Sequence, residues 1–152
     1  MKGQLNLKEI EIQDLRLYFN MRTQDKKVNI LIVINDTIFS IYIEGLLKEK
    51  GYNISKIVKS PEEAIKSVKK INPDIILIDI GYRDDINMIQ TANKIRTLAD
   101  IPIIFFITYI CEEMHKALET SPNYRYLMKP VTEEDLYDIV EDFLINRGNN
   151  KI

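Results

Sequence analysis

Across 152 residues the sequence contains no tryptophan, one cysteine and one histidine. A lone Cys111 excludes an internal disulfide framework and a cysteine-based zinc cluster, and it fits a reducing compartment. A lone His115 removes most histidine-based metal and proton-relay chemistry. Glycine is also scarce. The five glycines, at 3, 45, 51, 81 and 148, make no phosphate-cradling loop of the kind a flavin or nucleotide domain needs after a strand. Neither sign of charge is in excess: 21 basic residues face 23 acidic ones, well mixed, for a net charge of −2. That balance gives no footprint for nucleic acid or an anionic membrane surface. No apolar run approaches the roughly 20 residues that span a bilayer. The opening Met1-Lys2-Gly3-Gln4 lacks the apolar core of a signal peptide. The expectation is a soluble cytoplasmic protein with no organic cofactor, no membrane and no nucleic-acid partner.

What the chain does have is a regular alternation. Short apolar runs occur at Val28–Ile34, Ile54–Val58, Ile75–Ile80, Ile103–Ile107 and Tyr124–Met128. The first, third and fourth are almost continuous Ile, Leu, Val and Phe, the pattern of parallel strands buried on both faces. The second and fifth are shorter and more mixed.

Amphipathic stretches separate them. Ile38–Lys50 stops at Gly51. Ser60-Pro61-Glu62-Glu63 reads as an N-cap, a proline in the first turn and acids beside the helix N-terminus. Asn72-Pro73 closes that helix. Ile86–Leu98 and Glu112–Glu119 are further helices. Thr132 opens the last one, with Asp135 at capping-box spacing and Leu136, Ile139, Val140, Phe143 and Leu144 as its apolar stripe. The order βαβαβαβαβα implies right-handed crossovers and an α/β fold, a parallel sheet with helices on both faces. Ligand sites in such sheets lie at the carboxyl ends of the strands.

Three segments are expected: a helix-like N-terminal extension over 1–27, one domain over 28–146, and a tail over 147–152. In the extension, Ile12, Leu15 and Phe19 form one apolar stripe, and Leu7, Ile10, Leu17 and Tyr18 a second. Two readings stand, a helix covering its own domain and a helix that also meets a partner chain. Local Leu-x-Leu and Ile-x-Ile alternation leaves a strand open as well.

The third strand delivers a carboxylate, Asp79, to the carboxyl edge. After the fifth strand comes Tyr126-Leu127-Met128-Lys129-Pro130. An Asp and a Lys converging on one edge can hold a phosphoryl group by charge. Each alone has a bland reading, a loop cap and a solvated cation.

These segments resemble the response-regulator receiver family. Ile30-Leu31-Ile32-Val33, Gly51-Tyr52, Pro73–Asp79, Ile101-Pro102-Ile103-Ile104-Phe105 and Tyr126–Pro130 stand in the family's order and spacing over roughly 28–146. The resemblance implies a flavodoxin-like (βα)5 doubly wound sheet of strand order 2-1-3-4-5. It implies that Asp79 is the phosphoacceptor and takes phosphate from a kinase phosphohistidine. It further implies that Lys129 contacts the phosphoryl oxygens, that the Lys129–Pro130 bond is cis, and that Tyr126 is the aromatic switch.

The pattern also departs from the family. Two adjacent acids normally end the first strand and bind Mg²⁺ with the phosphoacceptor and the carbonyl two residues after it, here Gly81. An ungapped count puts Ile34 and Asn35 at the acid positions. Mg²⁺ wants near-octahedral oxygen ligands, so binding by Asp79, Asn35 and Gly81 is expected to be weak or absent. The switch hydroxyl falls on Ile107. Losing a hydrogen bond to a charged oxygen forfeits about 1.5–3 kcal/mol, roughly ten- to a hundredfold in an equilibrium. Asp36 and Thr108, one residue further on, are substitutes if both strands slip, but a slip turns every side chain to the other face. Asp36 can also swing in from the loop, since a cap sits near the strand end. Their simpler readings are a helix cap and a loop residue. Asp84 and Asp85 have two readings, a pair that draws a cation and, more simply, solubility acids ahead of a helix.

The expected function is a stand-alone, non-enzymatic receiver in two-component phosphorelay signalling. Its partners would be a sensor histidine kinase, a downstream protein, or both, with output through Tyr126 and the 112–145 face. A homodimer through residues 1–27 or that same face is a further expectation. The competing reading is a phosphorylation-independent pseudo-receiver, favoured by Ile34 and Ile107 and opposed by Asp79 and Lys129.

Overall fold

The computed structural model describes residues 27–81 and 86–150, together with residue 15. The rest of the N-terminal extension, the Asp84–Asp85 pair and the last two residues lie outside the described residues. The elements are β1 (Asn29–Val33), α1 (Thr37–Glu49), β2 (Asn53–Val58), α2 (Pro61–Ile71), β3 (Ile75–Gly81), α3 (Ile86–Leu98), β4 (Ile103–Ile107), α4 (Glu112–Thr120), β5 (Tyr124–Met128) and α5 (Glu133–Asn150). The strands form one parallel sheet in the order β2-β1-β3-β4-β5, as expected.

Strand alternation sorts the apolar side chains into two cores. Leu31, Val33, Ile76, Ile78, Ile103 and Phe105 pack against Ala64 and Val68 of α2, Ile89, Ala92 and Ile95 of α3, and Met114 of α4. Ile30, Ile32, Ile75, Leu77, Ile104 and Phe106 pack against Ile43 and Leu47 of α1 and Leu136, Val140 and Phe143 of α5. The central strands are therefore covered on both faces, which is why their sequences read as unbroken apolar runs. Edge strands β2 and β5 keep exposed positions, among them Lys56, Arg125 and Tyr126. Those exposed positions account for their mixed composition.

Helix ends follow from local chemistry. The Asp36 and Ser60 side chains accept from Phe39 N and Glu63 N at 3.1 and 3.2 Å, and Thr132 Oγ1 accepts from Asp135 N at 3.1 Å. Asn72 ends α2 in the left-handed region at φ 54°. Gly51 turns the chain after α1 at φ 95°, where a side chain would be strained. The last helix, expected to stop near Asn146, continues to Asn150. Gly148 costs such a turn about 1 kcal/mol relative to alanine, which is too little to end a helix already anchored on the sheet.

Candidate functional site

Parallel strands bring the carboxyl ends of β1, β3 and β4 to one edge of the sheet. Asp79 sits there near the end of β3, and among the described residues it is the one buried charged side chain. A buried carboxylate must be paired. Lys129, the residue after β5, supplies the partner: its Nζ lies 2.6 Å from Asp79 Oδ1. The Gly81 N–H donates to the same oxygen at 3.1 Å. Gly81 does so from φ 85°, a conformation that suits glycine. Lys129 is fixed from behind as well, because its backbone N–H donates to Ile107 O at 2.8 Å; as expected, its bond to Pro130 is cis.

The walls of this pair are apolar. Phe106 is the register partner of Asp79 across β3 and β4. Ile34 continues the β1 row of Ile30 and Ile32 into the same core and is completely buried. Phe39, on the first turn of α1, meets Phe106 edge to face with ring centroids 5.2 Å apart. The Lys129 ammonium lies 4.7 Å from the centre of the Phe39 ring. Neither Phe39 nor Phe106 was singled out from the sequence. Phe39 falls on the inward period of α1, three residues after the cap, but its contact with Lys129 spans most of the chain and leaves no local signal.

Asn35 is exposed in the turn after β1. Asp36 is exposed and its carboxylate caps α1, the simpler of its two readings. Thr108 is exposed just past β4 and lines a small cleft with Ile80, Tyr109 and Met114. Ile107 is buried in the core that faces α2, α3 and α4. Tyr126 pairs with Phe105 in register and stands 39% exposed, an outward aromatic. On the other flank Lys59 Nζ reaches Thr37 Oγ1 at 3.2 Å.

Among the described residues no three His, Cys, Asp or Glu side chains converge as a metal site. For Mg²⁺ the edge offers one carboxylate, with an ammonium and an amide already on one of its oxygens, plus a neutral asparagine and a backbone carbonyl. Full burial of Ile34 fills the remaining position with hydrocarbon. This donor set does not fit a cation that favours several hard, charged oxygens.

Comparison with known proteins agrees with this fold. The family model for the response regulator receiver domain matches residues 30–141. A probable transcriptional regulator of Porphyra purpurea is 31% identical over 127 residues, covering 80% of this chain and 59% of its own. The N-terminal domain of a response regulator/sensory box/GGDEF protein of Carboxydothermus hydrogenoformans is 29% identical with a TM-score of 0.68, covering 82% of this chain and 99% of that one. A CheY-like receiver domain of Methanospirillum hungatei JF-1 shares the fold at 23% identity and a TM-score of 0.73, with the same coverage of 82% and 99%. The chain spans little more than half the length of the curated relatives it matches, 59% and 54%. No helix among the described residues is long and apolar enough to cross a membrane.

Proposed function

Starting from the fact that the chain belongs to the response-regulator receiver family, whose model matches residues 30–141, we propose that Asp79 is its phosphoacceptor and that it signals by protein contacts. The observation that carries this reading is the Asp79–Lys129 pair at the carboxyl edge, 2.6 Å apart. Both described contacts fall on Oδ1, which leaves Oδ2 as the attacking oxygen. Its bond to phosphorus forms as the phosphorus–nitrogen bond of a kinase phosphohistidine breaks. The electron pair leaves on the imidazole nitrogen, which takes a proton from solvent. Lys129 neutralises charge on the phosphoryl oxygens. Mg²⁺ is bound weakly or not at all.

The partners are a sensor histidine kinase, a downstream protein, or both. Exposed Tyr109, Ile110, Tyr126 and Met128 beside β5 support an output surface there, and a homodimer would use this face or residues 1–27. A second reading, a pseudo-receiver that binds partners without phosphorylation, is favoured by the burial of Ile34 and Ile107.

Intact-mass spectrometry after incubation with acetyl phosphate, with Mg²⁺ or Mn²⁺ and without either, separates the two. One added phosphate that is absent from Asp79→Asn supports the phosphoacceptor. Folded protein with no adduct under any condition selects the pseudo-receiver.

A further inference from the structure

The walls around Asp79 pose a question of charge. A carboxylate flanked by Ile34, Phe106 and Phe39 needs a cation close by, and the side chains at this edge are a poor set for a divalent one. The geometry points to Phe39 as a positioning residue that holds the Lys129 ammonium on Asp79, making the lysine the resident cation of this pocket. The inference goes beyond the reading of Asp79 as phosphoacceptor and stands with or without phosphorylation.

Three observations carry it. The ammonium lies 4.7 Å from the Phe39 ring centre, inside the range of about 6 Å over which a ring face attracts a cation. The same nitrogen is 2.6 Å from Asp79 Oδ1, so the ring and the carboxylate act on one group. Phe39 is itself held, by the Asp36 cap on its backbone N–H and by its edge-to-face contact with Phe106. A lysine stem is long and flexible, and its charged end turns to water where nothing retains it. Here the Lys129 side chain is only 18% exposed. Asp79 fixes where the nitrogen points, and the ring removes its reason to leave.

Amine acylation of the full chain tests this. The probe is N-hydroxysuccinimidyl acetate, read by peptide-mapped mass spectrometry at Lys129, with exposed Lys69 as internal reference. Lys129 should label more slowly than Lys69 in the wild type. Phe39→Leu keeps an apolar side chain of similar size and removes the ring. It should speed labelling of Lys129 at least about fivefold with Lys69 unchanged. Phe39→Tyr keeps the ring and should restore protection, an outcome that a mere packing role does not predict. Asp79→Asn sets the ceiling for a released lysine, and Phe39→Met serves if the leucine variant does not fold. Lys129 labelling at the wild-type rate in the folded leucine or methionine variant would overturn the proposal. So would millimolar Mg²⁺ that speeds Lys129 labelling in the wild type, because the metal would then be displacing the lysine from its carboxylate.

Discussion

Removing either half of the Asp79–Lys129 pair should not cost the same, and the difference follows from burial. At 2.6 Å and an effective dielectric of about 20, two unit charges attract by about 6 kcal/mol, most of it offset by the desolvation of both ions. Lys129→Met leaves Asp79, only 6% exposed, without its cation against Ile34 and Phe106. Stranding a buried charge in this way costs about 3 kcal/mol. Asp79→Asn is milder. The amide oxygen still accepts from Gly81 N–H, and the lysine, on its flexible stem, turns to solvent. The expected cost is about 1 kcal/mol. Urea unfolding of the two variants should therefore differ by about 2 kcal/mol in stability at unchanged m-value, or about 6 °C in melting temperature for a chain of this size. The double variant should be less destabilised than the sum of the singles, because removing the lysine matters little once the carboxylate is gone. Equal losses in the two single variants, or a larger loss in Asp79→Asn, would refute the reasoning that the buried carboxylate is the group at risk.

Other expectations are more local. Burial pushes the Tyr52 and Tyr124 phenols up to about 12, the latter partly offset by the Arg96 guanidinium, and the Tyr124 hydroxyl donates to Asn93 Oδ1 at 2.8 Å. Each raised phenol favours the folded state fully below the unfolded pKa of about 10, and that stability is lost as pH climbs from about 10 to about 12. Phenolate absorbance should show these two tyrosines titrating late and together with unfolding; ionisation of all eight tyrosines near pH 10 in folded protein contradicts it. Asp36→Ala should cost about 1 kcal/mol as a lost helix cap, largely recovered by Asp36→Ser; a loss that serine does not recover would give Asp36 a role other than capping. Ile107→Thr places a hydroxyl in the core facing α3 and α4 and should destabilise by about 1–3 kcal/mol; thermal melting that finds it neutral would mean the hydroxyl meets a partner this packing does not provide.

The fold was legible because the central strands obey one rule. Buried on both faces, β1, β3 and β4 read as continuous apolar runs, and Ser60-Pro61, Gly51 and Thr132 punctuate the helices between them with local, side-chain-specific chemistry. The edge strands read less clearly since half their positions face water. At the site, Asp79 and Lys129 were legible as a pair only through spacing along the whole chain, and the structure brings them together. Asp36 caps α1 through a single backbone donor, Phe39 N, which no side-chain pattern displays. Phe39 and Phe106 went unnoticed for a related reason. Their apolar character marks them as core, and that they wall a charged pair depends on contacts between distant elements.

The two residues at the end of β1 make opposite demands on any attempt to give this edge a metal. Asn35 is exposed, so Asn35→Asp changes a solvated side chain and should leave stability within about 0.5 kcal/mol. Ile34 is fully buried with Ile43, Leu47 and Phe106. Ile34→Asp forfeits about 1.5–3 kcal/mol of apolar burial and sets a second carboxylate on the Asp79 face, for a total of about 4 kcal/mol or more. The apolar residue thus strengthens the core at the one position where a charged ligand would be most costly to the fold. Asn35→Asp adds a second carboxylate just past β1 at little cost, and a cation at ten times its Kd then stabilises by about 1.4 kcal/mol, or about 4 °C. Melting temperatures with and without Mg²⁺ decide the matter. A rise in Asn35→Asp and none in the wild type is expected. An equal rise in both would mean that the wild-type edge already holds the ion, and that Ile34 and Asn35 are no obstacle to it.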